Sequence, residues 1–251
     1  MPNPTIKALC AIGLVAAAWL SEGHARDARA ATLALPVVIE LFTSQGCSSC
    51  PPADALLEDY AKRDGVIALS FHVDYWDYLG WKDRFASADF SARQRQYARV
   101  RGDGSVYTPQ AVVNGRHQVV GSRVAGLEEA VSDAQSATGG RVEIEAVITG
   151  TKLDIRVKPQ KSGRTEADVL LAVVQPAATV KVERGENSGR TITYRNIVRQ
   201  LTRIGRWDGT AAALTEPLPA ADGFGNASYV VLVQQAEAGP ILGAAIARSF
   251  P

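Results

Sequence analysis

Cysteine is scarce in this sequence, with 3 in 251 residues, and histidine is equally so. Three cysteines cannot build a disulfide scaffold, and no second Cys-x-x-Cys accompanies Cys47-Ser48-Ser49-Cys50, so a four-donor zinc site has no sulfur set. An excess of either charge is also missing. The chain carries 27 Lys and Arg against 26 Asp and Glu, and its first thirty residues hold Lys7, Arg26 and Arg29 against Glu22 and Asp27. The remainder is therefore balanced, which gives no electrostatic attraction to nucleic acid or anionic lipid. No internal repeat or low-complexity tract interrupts the chain, and after the N-terminal segment no run of eighteen apolar residues is present to span a membrane.

What is present starts with an uncharged, mostly apolar stretch from Ala8 to Leu20, after Lys7 and before the small residues Ala28 and Ala30. As a helix it rises only ~20 Å, short of the ~30 Å bilayer core. This reads as a signal peptide over residues 1–30, cut after Ala30 or after Ala25, with an uncleaved anchor as the alternative. The expected location is periplasmic or secreted, with no stable membrane span after cleavage. Cys10 leaves with the signal, and Cys47 and Cys50 are the cysteines that stay. A ring of four residues restricts the unfolded chain little, so redox exchange or metal binding explains such a pair better than stability does.

Apolar residues make up 46% of the chain, enough to bury a core. Residues 36–42 and 66–73 read as buried strands, and helical spacing follows the Cys pair from Ala53, with Pro51 and Pro52 in the first turn. Residues 87–101 and 123–136 read as further helices. Asn114-Gly115 between two β-forming runs predicts a hairpin. Beyond Thr138-Gly139-Gly140, segments 141–149 and 151–158 alternate as half-exposed strands do, with more strand candidates at 168–175, 178–183, 190–200, 228–235 and 241–247 and no clear helix. The expected fold is α/β, a thioredoxin-like domain over residues 31–139 followed by a smaller all-β, sandwich-like domain over 140–251.

The Cys pair sits where a strand hands over to a helix. Unpaired N–H groups at a helix start stabilise a thiolate, the attacking species in disulfide exchange. Cys47 is expected to be the exposed nucleophile, with Cys50 one turn inside the helix to resolve the mixed disulfide. A static clip and a metal site are the other readings of the pair. Copper held by both cysteines and His72 is conceivable, since soft thiolates suit that metal; a hydrogen-bonded core histidine is the plainer role for His72.

The order of elements, Cys47-Ser48-Ser49-Cys50-Pro51 and the later Thr108-Pro109 resemble the thioredoxin superfamily. The stretches Val38 to Asp54, Phe71 to Trp76 and Arg184 to Gly189 are similar to a secreted bacterial family, domain of unknown function 1223. The resemblance implies a cis Pro109 against the redox pair, and Thr108 offering backbone groups to a bound thiol or peptide. It also implies a buried acid on the preceding strand; Glu40 occupies that place, seven residues before Cys47 rather than six, and is assigned as proton acceptor for Cys50. Gly46 replaces the Trp that usually precedes the first cysteine, and Ser48-Ser49 replaces Gly-Pro, so no direction of exchange follows.

The expected function is therefore thiol–disulfide exchange, without a cofactor or resident metal, with protein or small-molecule thiols and disulfides as partners. A non-enzymatic binding module and copper handling are the alternatives. Trp76, with Tyr75, Tyr78 and Trp81, either walls a substrate groove or packs in the core. Residues 184–190 read as a polar turn between strands or as a device that docks the two halves.

Overall fold

The computed structural model describes Met1 and residues 35–137, 139–160, 165–221 and 223–249. The expected signal peptide, with Cys10, lies outside the described residues apart from Met1. The all-apolar runs of the first half become β1 (Val37–Thr43) and, after α1 (Pro51–Ala61), β2 (Val66–His72). The two strands are parallel, with Thr43 opposite His72, and every residue of both is buried. A strand covered on both faces needs no polar alternation, which is why both sequences read as continuous apolar runs. Next come α2 (Ala88–Arg101), β3 (Gln110–Val113), β4 (His117–Val120) and α3 (Val124–Ser136). The Ser87 hydroxyl caps α2 by accepting the Asp89 N–H, as an N-cap serine does. The β3–β4 hairpin turns on Asn114 and Gly115, whose φ values of 46° and 67° are those the Asn-Gly pair favours.

One face of β1 and β2 packs Ile39, Leu41 and Ala68 against Leu57 and Tyr60 of α1 and Leu127 and Val131 of α3. The other packs Phe42, Leu69 and Phe71 against Phe90 and Tyr97 of α2.

After Gly139-Gly140 the chain forms β5 (Ile144–Thr149), β6 (Lys152–Val157), β7 (Ala167–Lys181), β8 (Thr191–Trp207), β9 (Ala212–Pro217), β10 (Ser228–Gln235), β11 (Ile241–Ile246) and β12 (Arg248–Ser249). Here the structure corrects the expected architecture. The strands do not make a sandwich that follows a thioredoxin-like α/β domain. Four of them extend the first-half sheet, giving one mixed sheet in the order β11-β10-β7-β8-β2-β1-β3-β4. The α2-side core is correspondingly continuous, joining Phe42 and Phe71 to Val174, Val198 and Leu232. The other four form a small sheet, β12-β5-β6-β9, whose Leu153 and Ile155 pack on Val169, Leu171 and Val231. The protein is mostly β, and the described residues from Leu35 onward form one compact unit.

The physical reason lies at the open edge of β2. That strand is buried throughout, and its edge is closed by β8, through Ser70 opposite Ile197 and the Asn196 side-chain amide on the Ala68 carbonyl at 2.9 Å. Asn196 takes a positive φ of 48°, which asparagine tolerates better than most residues. Pro176, in the facing part of β7, has no N–H to give the ladder at the same place. The segments 168–175 and 178–183 thus belong, as far as Lys181, to one long strand. Among the described residues no helix is long and apolar enough to cross a membrane.

Candidate redox site

β1 ends at Thr43, and the chain turns through Ser44-Gln45-Gly46 into a disulfide between Cys47 and Cys50, with Cα atoms 5.4 Å apart. Cys50 is the residue just before α1, and its carbonyl accepts the N–H groups of Ala53 at 2.8 Å and Asp54 at 3.1 Å. It stands at the mouth of the helix, not one turn inside it. Cys47, expected to be exposed, is as fully buried as Cys50, and only Ser48 and Ser49 reach solvent.

The cover is the loop between β7 and β8. The buried Asn187 donates its side-chain amide to the carbonyls of Gln45 at 3.0 Å and Cys47 at 2.8 Å. Beside it, Glu186 Oε2 accepts the Ser48 N–H at 3.1 Å. The hydrogen bonds from Ser48 hold the Glu186 carboxyl below its ordinary range. The polar turn at 184–190 therefore docks, and what it docks on is the redox turn.

Thr108 and Pro109 lie on the neighbouring strand edge, and the peptide between them is cis. Trp76 Nε1 donates to Thr108 Oγ1 at 2.8 Å, and its Cβ stands 3.0 Å from where a Cβ on Gly46 would be. Gly46 thus leaves room for Trp76, which ties the redox turn to Thr108. Gly121 is crowded in the same way by Ala53 and Pro109, so Pro109 and the first turn of α1 share a neighbour. Trp81 Nε1 reaches Gln45 Oε1 at 2.8 Å. Both tryptophans brace the turn, and Tyr78 alone of the four aromatics is exposed.

Beneath the turn, on the α1 side of the sheet, lies a buried polar cluster. His72 Nδ1 and Asp83 Oδ2 are 2.7 Å apart, with both side chains out of contact with solvent. Asp83 also accepts the N–H groups of Gln45 and Phe85 at 2.8 and 2.9 Å. Burial pushes the Asp83 carboxyl up, but the attraction of His72 and these hydrogen bonds outweigh it and leave the group below its ordinary value. An ionised Asp83 places the proton on Nδ1 of His72. The His72 ring packs edge-on against Tyr194 and Phe85, with centroids 4.7 and 5.2 Å away. Asp54, in the first turn of α1, is pushed up to about 7, first by burial and further by Asp83, with His72 and Thr43 opposing. Among the described residues neither oxygen of Asp54 nor Thr43 Oγ1 has a hydrogen-bond partner in good geometry.

The structure brings Cys47, Cys50, Trp76, Thr108 and Pro109 to one end of the sheet. Glu40 is placed elsewhere. It is buried on the α2 face, opposite α1, where Arg93 Nε donates to it at 2.8 Å and the Tyr97 hydroxyl donates to its other oxygen. Side-chain alternation explains this: Val38, Glu40 and Phe42 share one face of β1, and Ile39, Leu41 and Thr43 the other. Sequence reasoning passed over Asp54, Asp83 and Tyr194, and took Glu186 and Asn187 only as part of the 184–190 turn. The four-residue step from Cys50 to Asp54 was a signal that could have been read; the others come together only through the fold. Among the described residues no three His, Cys, Asp or Glu side chains form a group able to hold a metal ion, and the His72 nitrogen nearest a carboxylate is taken by Asp83.

Residues 38–234 match the family described as "Protein of unknown function (DUF1223)". No curated protein matches the chain at a significant level. Two solved structures resemble it. The crystal structure of protein AGR_C_4864 from Agrobacterium tumefaciens is 35% identical, with a TM-score of 0.74 over 85% of this chain and 94% of that one. HBP35 of Porphyromonas gingivalis is 14% identical, with a TM-score of 0.61 over 86% of this chain and 75% of that one, a likeness of fold alone. With most of its length matched and a relative this similar across nearly all of that relative's chain, the protein belongs to the DUF1223 family.

Proposed function

We propose that the protein exchanges disulfides with protein or small-molecule thiols through Cys47 and Cys50, in the periplasm or outside the cell. The observation that carries this reading is a disulfide closing a four-residue ring at the mouth of a helix. Once reduced, such a pair meets the N–H groups of the first helical turn, which favour a thiolate. The Cys47 thiolate attacks a substrate disulfide; a Cys47–substrate bond forms and the other substrate sulfur leaves with the electron pair. Cys50 then gives up its proton and attacks the Cys47 sulfur. The ring closes again and the second substrate sulfur departs. The substrate disulfide has gained two electrons and two protons, and the Cys pair has lost them. Run backwards, the same steps oxidise a dithiol, and neither direction needs a cofactor.

Trp76, Thr108 and Pro109 form the edge on which a substrate chain lies beside the redox turn. Because Asn187 and Glu186 cover that turn, a substrate displaces their loop before Cys47 reacts. The location outside the cytoplasm rests on the apolar segment Ala8 to Leu20 and the small residues after it, and on the persistence of disulfides in such compartments.

The test is to mix the reduced protein with an aromatic disulfide and with a disulfide-bonded peptide, and to map adducts by mass. Cys50→Ser is expected to trap substrate on Cys47, and Cys47→Ser to trap none. A native protein that reacts no faster than free cysteine overturns the reading.

A further inference from the structure

Disulfide exchange leaves one buried cluster unused. Both oxygens of Asp54, Nε2 of His72, the Tyr194 hydroxyl and Thr43 Oγ1 are buried without a hydrogen-bond partner among the described residues. Buried polar atoms are paired in the large majority of cases, so several unpaired ones in one place call for a reason. Asp54 is only 5% exposed, and a carboxyl kept there unpaired works against stability.

Its position supplies the reason. Asp54 follows Cys50 by four residues, and its N–H is bonded to the Cys50 carbonyl, so the helical relation already holds at the cysteine. Side chains so related are neighbours on one helix face, with Cβ atoms about 5–6 Å apart. Both side chains are buried, so that face points inward. The charged and titratable groups around Asp54 come from every element packed on it. They are His72 from β2, Asp83 from the segment before α2 and Tyr194 from β8, with Arg190 beyond Tyr194 and Arg199 beyond Asp83. Glu58, on its own helix, is engaged outward by Lys62 and Arg195.

Resting on exchange at Cys47 and Cys50, we propose that Asp54 accepts the proton of the Cys50 thiol as that sulfur attacks the mixed disulfide, with His72, oriented by Asp83, as a positioning residue. The S–H bond of Cys50 breaks and an O–H bond forms on Asp54. The Cys50–Cys47 bond forms, the Cys47–substrate bond breaks, and the leaving thiolate takes the electron pair and recovers the proton. Nothing else is oxidised or reduced. Burial keeps both forms of Asp54 populated near neutrality, where a proton acceptor is most effective. In the reduced protein the Cys47 thiolate, in the same turn as Cys50, adds negative charge and raises Asp54 further. Reduction then draws one additional proton between the two midpoints.

The experiment equilibrates the native protein with a dithiol–disulfide reference couple from pH 5 to 9. The equilibrium constant is expected to break near pH 7 and to change about tenfold more per pH unit from there up to the midpoint of the reduced form, as one extra proton requires. Asp54→Asn is expected to remove the break and to slow resolution of the mixed disulfide about 10²-fold. His72→Gln, which removes a field that lowers Asp54, is expected to move the break upward. A native protein that exchanges normally while Asp54→Asn shows the same pH curve and resolution rate overturns the proton role and leaves exchange standing. A native protein that does not exchange overturns the reading beneath it as well. If Asp54→Asn does not fold, carbon-13 NMR of the Asp54 carboxyl in the native protein decides: an upward move of its midpoint on reduction supports the proposal, and an unchanged midpoint overturns it.

Discussion

Two carboxyls lie buried on opposite faces of the same sheet, and their surroundings differ. Glu40 receives the Arg93 guanidinium and the Tyr97 hydroxyl, and Gln234 completes the group by accepting from Arg93 at 2.8 Å and donating to the Tyr97 oxygen at 2.9 Å. Burial works against the Arg93 charge, but Glu40 and Tyr97 outweigh it and raise the guanidinium above its ordinary value. Asp54 has no such partner among the described residues. A buried acid with an ion partner and hydrogen bonds is a structural joint, here between β1, α2 and β10. A buried acid without them is free to gain and lose a proton. The likeness of position on the strand pointed to Glu40; the partners point to Asp54.

The sharpest way to break this comparison is to strip the satisfied acid of its partner. Arg93→Met leaves Glu40 buried without its ion partner, with only the Tyr97 hydroxyl still donating to it, and is expected to destabilise the fold by about 3–5 kcal/mol in urea unfolding. The double change with Glu40→Leu is expected to recover much of that loss.

The unsatisfied acid behaves in the opposite sense. Burial pushes the Asp54 carboxyl up from an ordinary 3.8 to about 7, so it carries no penalty at pH values below both. As pH rises past 4 the unfolded chain ionises it freely and the fold resists, so stability falls until about pH 7. The full difference corresponds to about 4 kcal/mol. Asp54→Leu in the oxidised protein is expected to raise stability at pH 8 by a large part of that amount, and by little at pH 4. A gain independent of pH counts against a titrating Asp54.

A smaller effect is expected at the cover. Asn187→Ala deprives two carbonyls of their donor and is expected to destabilise by about 1–3 kcal/mol. The same change opens Cys47, so reduction by a small thiol is expected to quicken several-fold. The smallest effect belongs to Arg63 and Glu128, an ion pair at 2.7 Å between largely exposed side chains. Arg63→Ala is expected to move stability by less than about 1 kcal/mol.

Much of this was legible in the sequence. Val37 to Thr43, Val66 to His72, the Asn114-Gly115 turn and the three helices carry local signals of periodicity and turn chemistry. So does the placement of Cys47 and Cys50 at a helix start. What could not be read was partnership. The closure of the β2 edge by Asn196 on Ala68 joins residues 128 apart, and nothing in alternating strands says which sheet they join. The same holds for His72 with Asp83 and for Asn187 over Cys47. Glu40 was misplaced in role for a simpler reason: a strand position fixes a face, but the sequence does not say that Arg93 waits on it.

The loop that covers the redox turn also fixes an order of events during synthesis. Asn187 lies 140 residues beyond Cys47, so the chain emerges with both thiols long before their cover exists. At ~5–20 residues per second, that delay is on the order of ten seconds. Throughout it the pair is open to any oxidant or reductant it meets, and the closing hairpin then covers the pair in whatever redox state it has acquired. The nascent chain and the finished protein therefore present the same two cysteines to different chemical company.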